Sequence, residues 1–249
     1  PNVYGGQGVI SENTLLLNSR VSNVAEAHKD LRLPAAPELD DSVISIAVPC
    51  NAMKINLGFV TALKEIERLS TKPVRFTFFP NEYGVGHLAT EKRLHSFFPT
   101  ATVARRTGYE GYLKMLNQHH LALSPFPFGN ATSTIDCMVL GLPVISLIGK
   151  EPHSRSDFDI LDSLGLADYC VADSIENYVH GVVRYINEPG LLEELRAMVI
   201  SKHFLDQHTT VENEFSDEMC AALNWAYQHM DDVKGPRGLV FEAKGRWQA

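Results

Sequence analysis

The feature that most constrains the fold is an alternation of short apolar runs with amphipathic stretches of helical length. The apolar runs predict strands near residues 43–48, 74–79, 120–124, 143–147 and 169–172. The stretches between them predict helices near 55–70, 87–97, 109–118, 132–141 and 156–164. Strands that alternate with helices of this length form a parallel sheet covered on both faces, so the sequence predicts an α/β, doubly wound fold over residues 41–205.

The two ends of the chain lack this alternation. Residues 1–40 are mixed, with Leu15–Leu17 as one possible strand or short helix, and we expect them to be a segment or linker from a missing upstream part. Beyond residue 173 the pattern becomes helical: Ser174 is expected to cap one helix and Glu188-Pro189 to start another. Residues 206–249 are expected to form a long helix near 210–229, which carries Met219, Leu223, Trp225 and Tyr227, and then a loosely held tail. The Met and aromatic residues of this helix are expected to face the core.

Composition narrows the class of protein. The 22 basic and 30 acidic residues give a formal net charge of -8, which argues against a nucleic-acid binder because such proteins usually carry a basic patch. No apolar run approaches a membrane span, and the first residues do not resemble a signal segment. The four cysteines form no closely spaced pair, which favours a reducing compartment. We therefore expect a soluble, cytoplasmic protein.

The segment Ser124–Asp136 has the character of an anion site. It follows an apolar run, passes through a Pro- and Gly-containing turn, and opens a helix with Thr132, Ser133 and Thr134. The first turn of a helix leaves backbone N–H groups free and carries the positive end of the helix dipole, so a phosphate fits there. Asp136 lies about one turn further, where it can accept hydrogen bonds from ribose hydroxyls. The alternative is structural: hydroxyl residues at a helix start are commonly caps.

Lys54 marks a second turn of this kind. It follows the apolar run Val43–Val48 and precedes an amphipathic helix, so it lies at the carboxyl end of a predicted strand, where ligands of open α/β sheets bind. The alternative is an ordinary solvated surface lysine. Together with the segment after residue 124, this position favours a nucleotide site.

Several motifs along the chain, in their order and spacing, resemble those of a known protein family. They are Val43–Asn56 with its Met-Lys-Ile-Asn end, Gly86-His87, Tyr109-Glu-Gly-Tyr112-Leu, the Ser-Pro-Phe-Pro-Phe-Gly-Asn130 block, Asp136, and Gly149-Lys-Glu-Pro-His153. In this order and near this spacing, the chain resembles the donor-binding, carboxyl-terminal half of bacterial cytoplasmic protein N-glucosyltransferases of glycosyltransferase family 41, relatives of the O-linked N-acetylglucosamine transferases. The resemblance implies a Rossmann-like sheet of the GT-B type, from about residue 40 to 205, and an inverting transfer from a UDP-sugar.

The resemblance also implies roles for individual residues. Lys54 matches the lysine that neutralises the donor pyrophosphate, and Asp136 matches the carboxylate that holds the ribose. Thr132 and Ser133 lie where the family contacts the phosphates, although the glucosyltransferases more often have Asn at position 132. The implied donor site also includes Asn51, where the family tends to have Thr, Arg106, where it has His, and Asn130, Thr134 and His153.

We expect the chemistry to need no metal and no cofactor beyond the UDP-sugar. Loss of a diphosphate develops negative charge, which Lys54 and the helix start at Thr132 can stabilise in place of a divalent ion. The chain has no Asp-x-Asp triplet with a clear metal role, because Asp157 and Asp159 follow an expected cap at Ser156 and fit the first turn of a helix. His119 and His120 are adjacent and diverge, so they are poor joint ligands of one zinc ion.

These observations lead to one hypothesis and its alternatives. The first is a protein glycosyltransferase that moves a hexose, glucose before N-acetylglucosamine, to an Asn side chain in an Asn-x-Ser/Thr setting. The second is an O-GlcNAc-type transferase that acts on Ser or Thr. A third is a nucleotide-sugar-binding module without transferase activity, and a nucleotide-sugar epimerase is the weakest.

Overall fold

A computed structural model describes residues 34, 37–205 and 214–234, and the short strands 14–16 and 240–242. Within these residues the strands are β1 Thr14–Leu16, β2 Ile44–Val48, β3 Val74–Phe78, β4 Thr102–Val103, β5 Leu121–Leu123, β6 Val144–Leu147, β7 Val171–Ala172 and β8 Val240–Glu242. The helices are α1 Leu57–Leu69, α2 Gly84–Phe97, α3 Tyr109–Leu116, α4 Ala131–Val139, α5 Ser156–Ser163, α6 Ala167–Cys170, α7 Ile175–Asn187, α8 Leu191–Ser201, α9 Glu214–Gln228 and α10 Met230–Val233. Short 3-10 turns occur at Ala52–Lys54 and Pro152–Ser154.

Strands β2 to β7 form one six-stranded parallel sheet in the order β4-β3-β2-β5-β6-β7. The chain moves outward from β2 through β3 to β4 and then returns to β5 on the other side of β2. Ile46 of β2 is therefore in register with Phe76 of β3 on one side and with Leu121 of β5 on the other. This reversal is the topological switch point of a doubly wound sheet, and ligands bind in the crevice outside the carboxyl ends of the two central strands. The predicted fold class is confirmed.

The central strands are covered on both faces. Every residue of β5 is buried, and β2 is buried except for a half-buried Ser45, as expected for inner strands of a parallel sheet. On one face, α1 and α7 pack against each other. Both helices begin at side-chain caps, since Asn56 accepts a hydrogen bond from the Phe59 amide and Ser174 accepts one from the Asn177 amide.

The structure corrects several details of the sequence predictions. Strand β4 was missed, and half of the strand predicted at 169–172 is helix α6. Helix α5 begins at Ser156 itself, with Arg155 in the cap position. Helix α8 begins after Gly190, whose left-handed backbone (φ 80°) ends the turn that contains Glu188-Pro189.

The chain ends also differ from expectation. Of the α9 residues predicted to face the core, Tyr227 is 78% exposed, whereas Met219 and Trp225 are half-buried. Residues 240–242, expected to lie in a loosely held tail, form strand β8 in parallel with β1. The rest of the predicted tail, at 235–239 and 243–249, lies outside the described residues. The division into 1–40, 41–205 and 206–249 stays a prediction, and none of the described helices combines the length and hydrophobicity needed to cross a membrane.

Candidate anion-binding site

A cavity of about 590 Å³ lies at the carboxyl edge of the sheet, outside the ends of β2 and β5. Its position is the switch-point crevice, and its volume is in the range of small-molecule sites. The wall is built from the loops that follow β2 to β6. Of the residues predicted from sequence to contact a donor, the cavity brings together Asn51, Lys54, Arg106, Asn130, Thr132, Ser133, Asp136 and His153.

Lys54 joins the turn after β2 to the turn after β5. Its Nζ donates to the Gly129 carbonyl at 2.6 Å and to Asn130 Oδ1 at 3.2 Å, and it lies 4.9 Å from the centre of the Phe128 ring. Each of these contacts is to an uncharged group, and among the described residues no carboxylate forms an ion pair with this ammonium. Partial burial lowers the pKa of Lys54, because desolvation disfavours its charged form. The site therefore presents a fixed positive charge that an anionic ligand can neutralise.

The start of α4 lines the same cavity. Asn130 occupies its N-cap position but forms no side-chain cap; its amide group donates instead to the Pro49 carbonyl at 2.5 Å. Thr132 and Ser133 follow in the first turn, where the backbone N–H groups have no partner within the helix. The positive end of a helix and a lysine ammonium thus line one cavity, a combination suited to phosphate groups.

Asp136 provides the acceptor group of the site. Its carboxylate is only 4% exposed, lines the cavity, and accepts a hydrogen bond from the Tyr109 hydroxyl at 2.5 Å. The rings of Tyr109 and Tyr112 stack with centroids 6.2 Å apart, and burial raises the pKa of both phenols, so both stay protonated donors. A buried carboxylate beside hydroxyl donors is suited to hold ligand hydroxyl groups.

Thr134 differs from its predicted role. Its side chain is 1% exposed, does not line the cavity, and donates through Oγ1 to Asp157 Oδ1 at 3.0 Å. The helical turn explains this: residues 132 and 133 face the cavity, whereas residue 134 points toward the neighbouring helix α5. The structure gives Thr134 a supporting contact rather than a ligand contact.

Asp157 is the residue that sequence reasoning missed. It is 3% exposed and accepts hydrogen bonds from Ser124 Oγ, the backbone N–H of Asn130 and Thr134 Oγ1. Burial raises the pKa of its carboxyl group, against the opposing effect of these hydrogen bonds and of Lys54. The sequence correctly predicted that Asp157 lies in the first turn of α5. The residues around it give no sign that the start of α5 lies next to the start of α4.

Two further predicted residues line the rim of the cavity. The His153 ring stacks on Phe128 with centroids 5.1 Å apart, and its carbonyl accepts from the Gly129 amide at 2.9 Å. The Arg106 guanidinium lies 5.8 Å from the centre of the exposed Tyr83 ring. His119 and His120 lie elsewhere, at the amino end of β5, and no group of three potential metal ligands is found in the part of the chain that the structure describes.

Comparison with known proteins gives relatives of one kind. No family model matches the chain. It is 30% identical over 209 residues to a UDP-glucose:protein N-beta-glucosyltransferase of Actinobacillus pleuropneumoniae serotype 7, a match that covers 81% of this chain and 33% of that protein. The protein of the same name from serotype 5b is 30% identical over 187 residues, covering 74% and 30%. The chain thus spans about one third of the length of the curated relatives it matches.

Solved structures with a similar fold include an O-GlcNAc transferase and a protein that holds UDP. A variant of the Thermobaculum terrenum O-GlcNAc transferase matches 85% of this chain and 39% of its own, with a TM-score of 0.64 and 19% identity. A variant of S. aureus TarM in complex with fondaparinux, alpha-GlcNAc-glycerol and UDP matches 78% and 38%, with a TM-score of 0.52 and 15% identity. At these identities the likeness establishes the fold, that of GT-B glycosyltransferases.

Proposed function

We propose that this chain belongs to the family of the UDP-glucose:protein N-beta-glucosyltransferases, and that it is the donor-binding part of an enzyme that transfers a hexose from a UDP-sugar to a protein side chain. The proposed sugar is glucose and the proposed acceptor is Asn in an Asn-x-Ser/Thr setting. Because the chain spans about a third of the length of these relatives, the complete transfer reaction is part of the proposal.

One observation carries the proposal: the ammonium of Lys54 and the first turn of α4 line the same cavity at the switch point of the sheet. The first is a cation held by uncharged oxygens, and the second supplies unpaired N–H groups. A diphosphate between them would neutralise the one and hydrogen-bond to the other. Asp136, deeper in the same cavity, would accept from the ribose hydroxyls.

The chemistry follows from that placement. When the bond between the sugar and the diphosphate breaks, negative charge grows on the departing phosphate. Donors that are already fixed in place stabilise this charge without reorganising during the reaction, and removal of one such donor typically costs about 100-fold to 1000-fold in rate. Lys54 and the α4 N–H groups would act as these donors, and the proposal requires no divalent metal ion.

The proposal extends to the cellular setting. All four cysteines, Cys50, Cys137, Cys170 and Cys220, are free thiols in the structure. Unpaired cysteines are the usual state in the cytosol, where glutathione and thioredoxin keep thiols reduced. We place the enzyme in the cytoplasm on this ground, with an acceptor protein as its partner.

Isothermal titration of the chain with UDP, UMP and ADP tests the binding half of the proposal. We expect UDP to bind more tightly than UMP, because the second phosphate adds contacts to Lys54 and the α4 start, and more tightly than ADP if the cavity is shaped for uracil. Absence of UDP binding, with the chain folded by circular dichroism, would contradict the proposal.

Donor turnover tests the catalytic half. The full-length protein that contains this chain, supplied with an Asn-x-Ser/Thr peptide, should release UDP from UDP-glucose faster than from UDP-N-acetylglucosamine. Release from UDP-N-acetylglucosamine alone would favour the O-GlcNAc-type reaction. UDP binding without any sugar transfer would favour a binding module.

A further inference from the structure

A buried carboxylate lies directly beneath the anion site without lining it. Asp157, in the first turn of α5, bonds to three groups that all belong to the β5–α4 connection. Ser124 Oγ donates at 2.5 Å, and Thr134 Oγ1 donates at 3.0 Å. The backbone N–H of Asn130 donates to both carboxylate oxygens, at 2.9 and 3.0 Å. One side chain thus ties together the end of β5, the turn, and the first turn of α4.

Asn130 connects Asp157 to Lys54 through hydrogen bonds. Its backbone amide is held by Asp157, while its side chain donates to the Pro49 carbonyl and accepts from Lys54 Nζ. The adjoining Gly129 carbonyl is the closer partner of Lys54, at 2.6 Å. Asp157 and Lys54 therefore both act on the same two-residue turn.

The turn is also packed closely against the carboxylate. A Cβ added at Gly129 would lie 3.0 Å from Asp157 Oδ2 and 3.0 Å from Ser156 Oγ, closer than most side chains tolerate. The position of the turn is therefore defined by contact as well as by hydrogen bonds, and a glycine is needed there for close approach.

We propose that Asp157 is the positioning residue of the diphosphate site: through the Gly129–Asn130 turn it fixes the Lys54 ammonium against the start of α4, without touching the ligand. This inference rests on the proposed function. It gives a carboxylate a favourable role next to a site for anions, where its charge alone would oppose binding.

That opposition separates the proposal from a purely electrostatic role. If Asp157 acted only by repelling the anionic ligand, its replacement by Asn would tighten UDP binding. If it positions the turn, the same replacement weakens binding, because an amide cannot accept from Ser124, Thr134 and Asn130 at once without turning its own donor toward one of them. The two roles predict changes of opposite sign.

The experiment is a double-mutant cycle on UDP affinity, measured by isothermal titration on wild type, Asp157→Asn, Lys54→Met and the double variant. We expect Asp157→Asn to weaken UDP binding about tenfold in the wild-type background and less than about threefold in the Lys54→Met background, because residues that act through one network are not additive. Asp159→Asn, the same change of charge two residues further along α5, is the matched control and should alter affinity less than about twofold.

Specific outcomes would overturn the proposal. Unchanged or tighter UDP binding in Asp157→Asn, or an equal loss in both backgrounds, shows that Asp157 does not act through Lys54. Should Asp157→Asn fail to fold, Thr134→Val decides instead: it removes one hydrogen bond to Asp157 outside the cavity and should weaken UDP binding about threefold, again only when Lys54 is present, and an unchanged affinity would overturn the idea. Failure of the wild type to bind UDP is a different result, which removes the proposed function itself.

Discussion

The two edges of the parallel sheet both carry buried polar groups, but they use them differently. At the amino edge, His120 Nδ1 accepts from the Ser45 amide at 3.0 Å, its Nε2 lies 3.4 Å from Asp41 Oδ1, and the Arg196 guanidinium donates to the His119 carbonyl at 2.9 Å. The polar contacts at this edge are thus made between groups of the protein itself. At the carboxyl edge, Lys54 and the α4 start face a cavity of about 590 Å³.

The difference teaches how to separate structural from functional polar groups in this fold. Burial occurs at both edges: it lowers the pKa of His119 and His120 at one and of Lys54 at the other, because desolvation disfavours each charged form. What distinguishes the carboxyl edge is that its cation, Lys54, lines a cavity. The first edge should therefore govern stability, and the second should govern ligand binding.

The largest expected effect is that of Lys54→Met on UDP binding. Loss of the ammonium removes the charge that faces the diphosphate, so UDP affinity should fall about 100-fold, which is about 2.7 kcal/mol. The melting temperature should change little, because Lys54 lies in a turn at the cavity mouth and not in the core. Titration and thermal unfolding on the same samples test this, and a large loss of melting temperature with retained affinity would place Lys54 among the structural residues.

Arg196→Met is the corresponding change at the amino edge. It removes the donor to the His119 carbonyl, and we expect the free energy of unfolding to fall by about 1–3 kcal/mol, the usual result when a buried acceptor loses its partner. UDP affinity should stay within about twofold of wild type. Urea unfolding and titration together check the pair of outcomes, and weakened UDP binding without loss of stability would erase the distinction between the edges.

Gly129→Ala tests how closely the site is packed. The added methyl group meets Asp157 Oδ2 and Ser156 Oγ at 3.0 Å, so these contacts must lengthen by a few tenths of an ångström. Because Asp157 is buried and held by several hydrogen bonds, we expect the turn to move instead, and UDP affinity to fall about tenfold, or about 1.4 kcal/mol. Gly181→Ala in α7 is the matched control, because open space surrounds its Cβ position. That control should raise stability by about 0.5–1 kcal/mol and leave UDP binding unchanged. Equal affinities of both variants would show that the turn tolerates displacement.

The smallest expected effect is on the pH dependence of UDP binding. Lys54 must be protonated to attract the diphosphate, and its pKa lies below the ordinary value of 10.5. Binding should therefore weaken several-fold as pH rises from about 7 to about 10, earlier than an ordinary lysine would allow. Titrations across this range should show the slope in wild type and a flatter profile in Lys54→Met; parallel profiles would assign the pH dependence to another group.

The sequence identified single residues of the site, but it did not predict the contacts between distant segments that hold them in place. Lys54, Thr132 and Asp136 were each identified from local patterns, and the cavity brings them together, because strand ends and helix starts have signatures within a few residues. Strand β4 was missed because two residues are too short to show a period. Asp157 contacts residues of the β5–α4 connection that lie 23 to 33 positions earlier in the chain. The residues around Asp157 alone do not predict which distant segment packs against it.

Orientation was the second limit. Thr134 belongs to the same hydroxyl run as Thr132 and Ser133, yet it turns toward α5, since each residue of a helix is rotated about 100° from the last. The same limit applies to α9, where Tyr227 was expected to face the core and is exposed. Which face of a helix is covered depends on tertiary packing, and composition alone does not determine it.

The bond between Lys54 and Gly129 joins residues 75 positions apart, across the boundary where β2 lies beside β5. Lys54 and Gly129 come together only when β2 and β5 are paired, so binding of a nucleotide in the cavity reports that the centre of the sheet has formed. A nucleotide that binds only the assembled site stabilises the folded state, so it should protect the whole sheet from proteases rather than the mouth of the pocket alone.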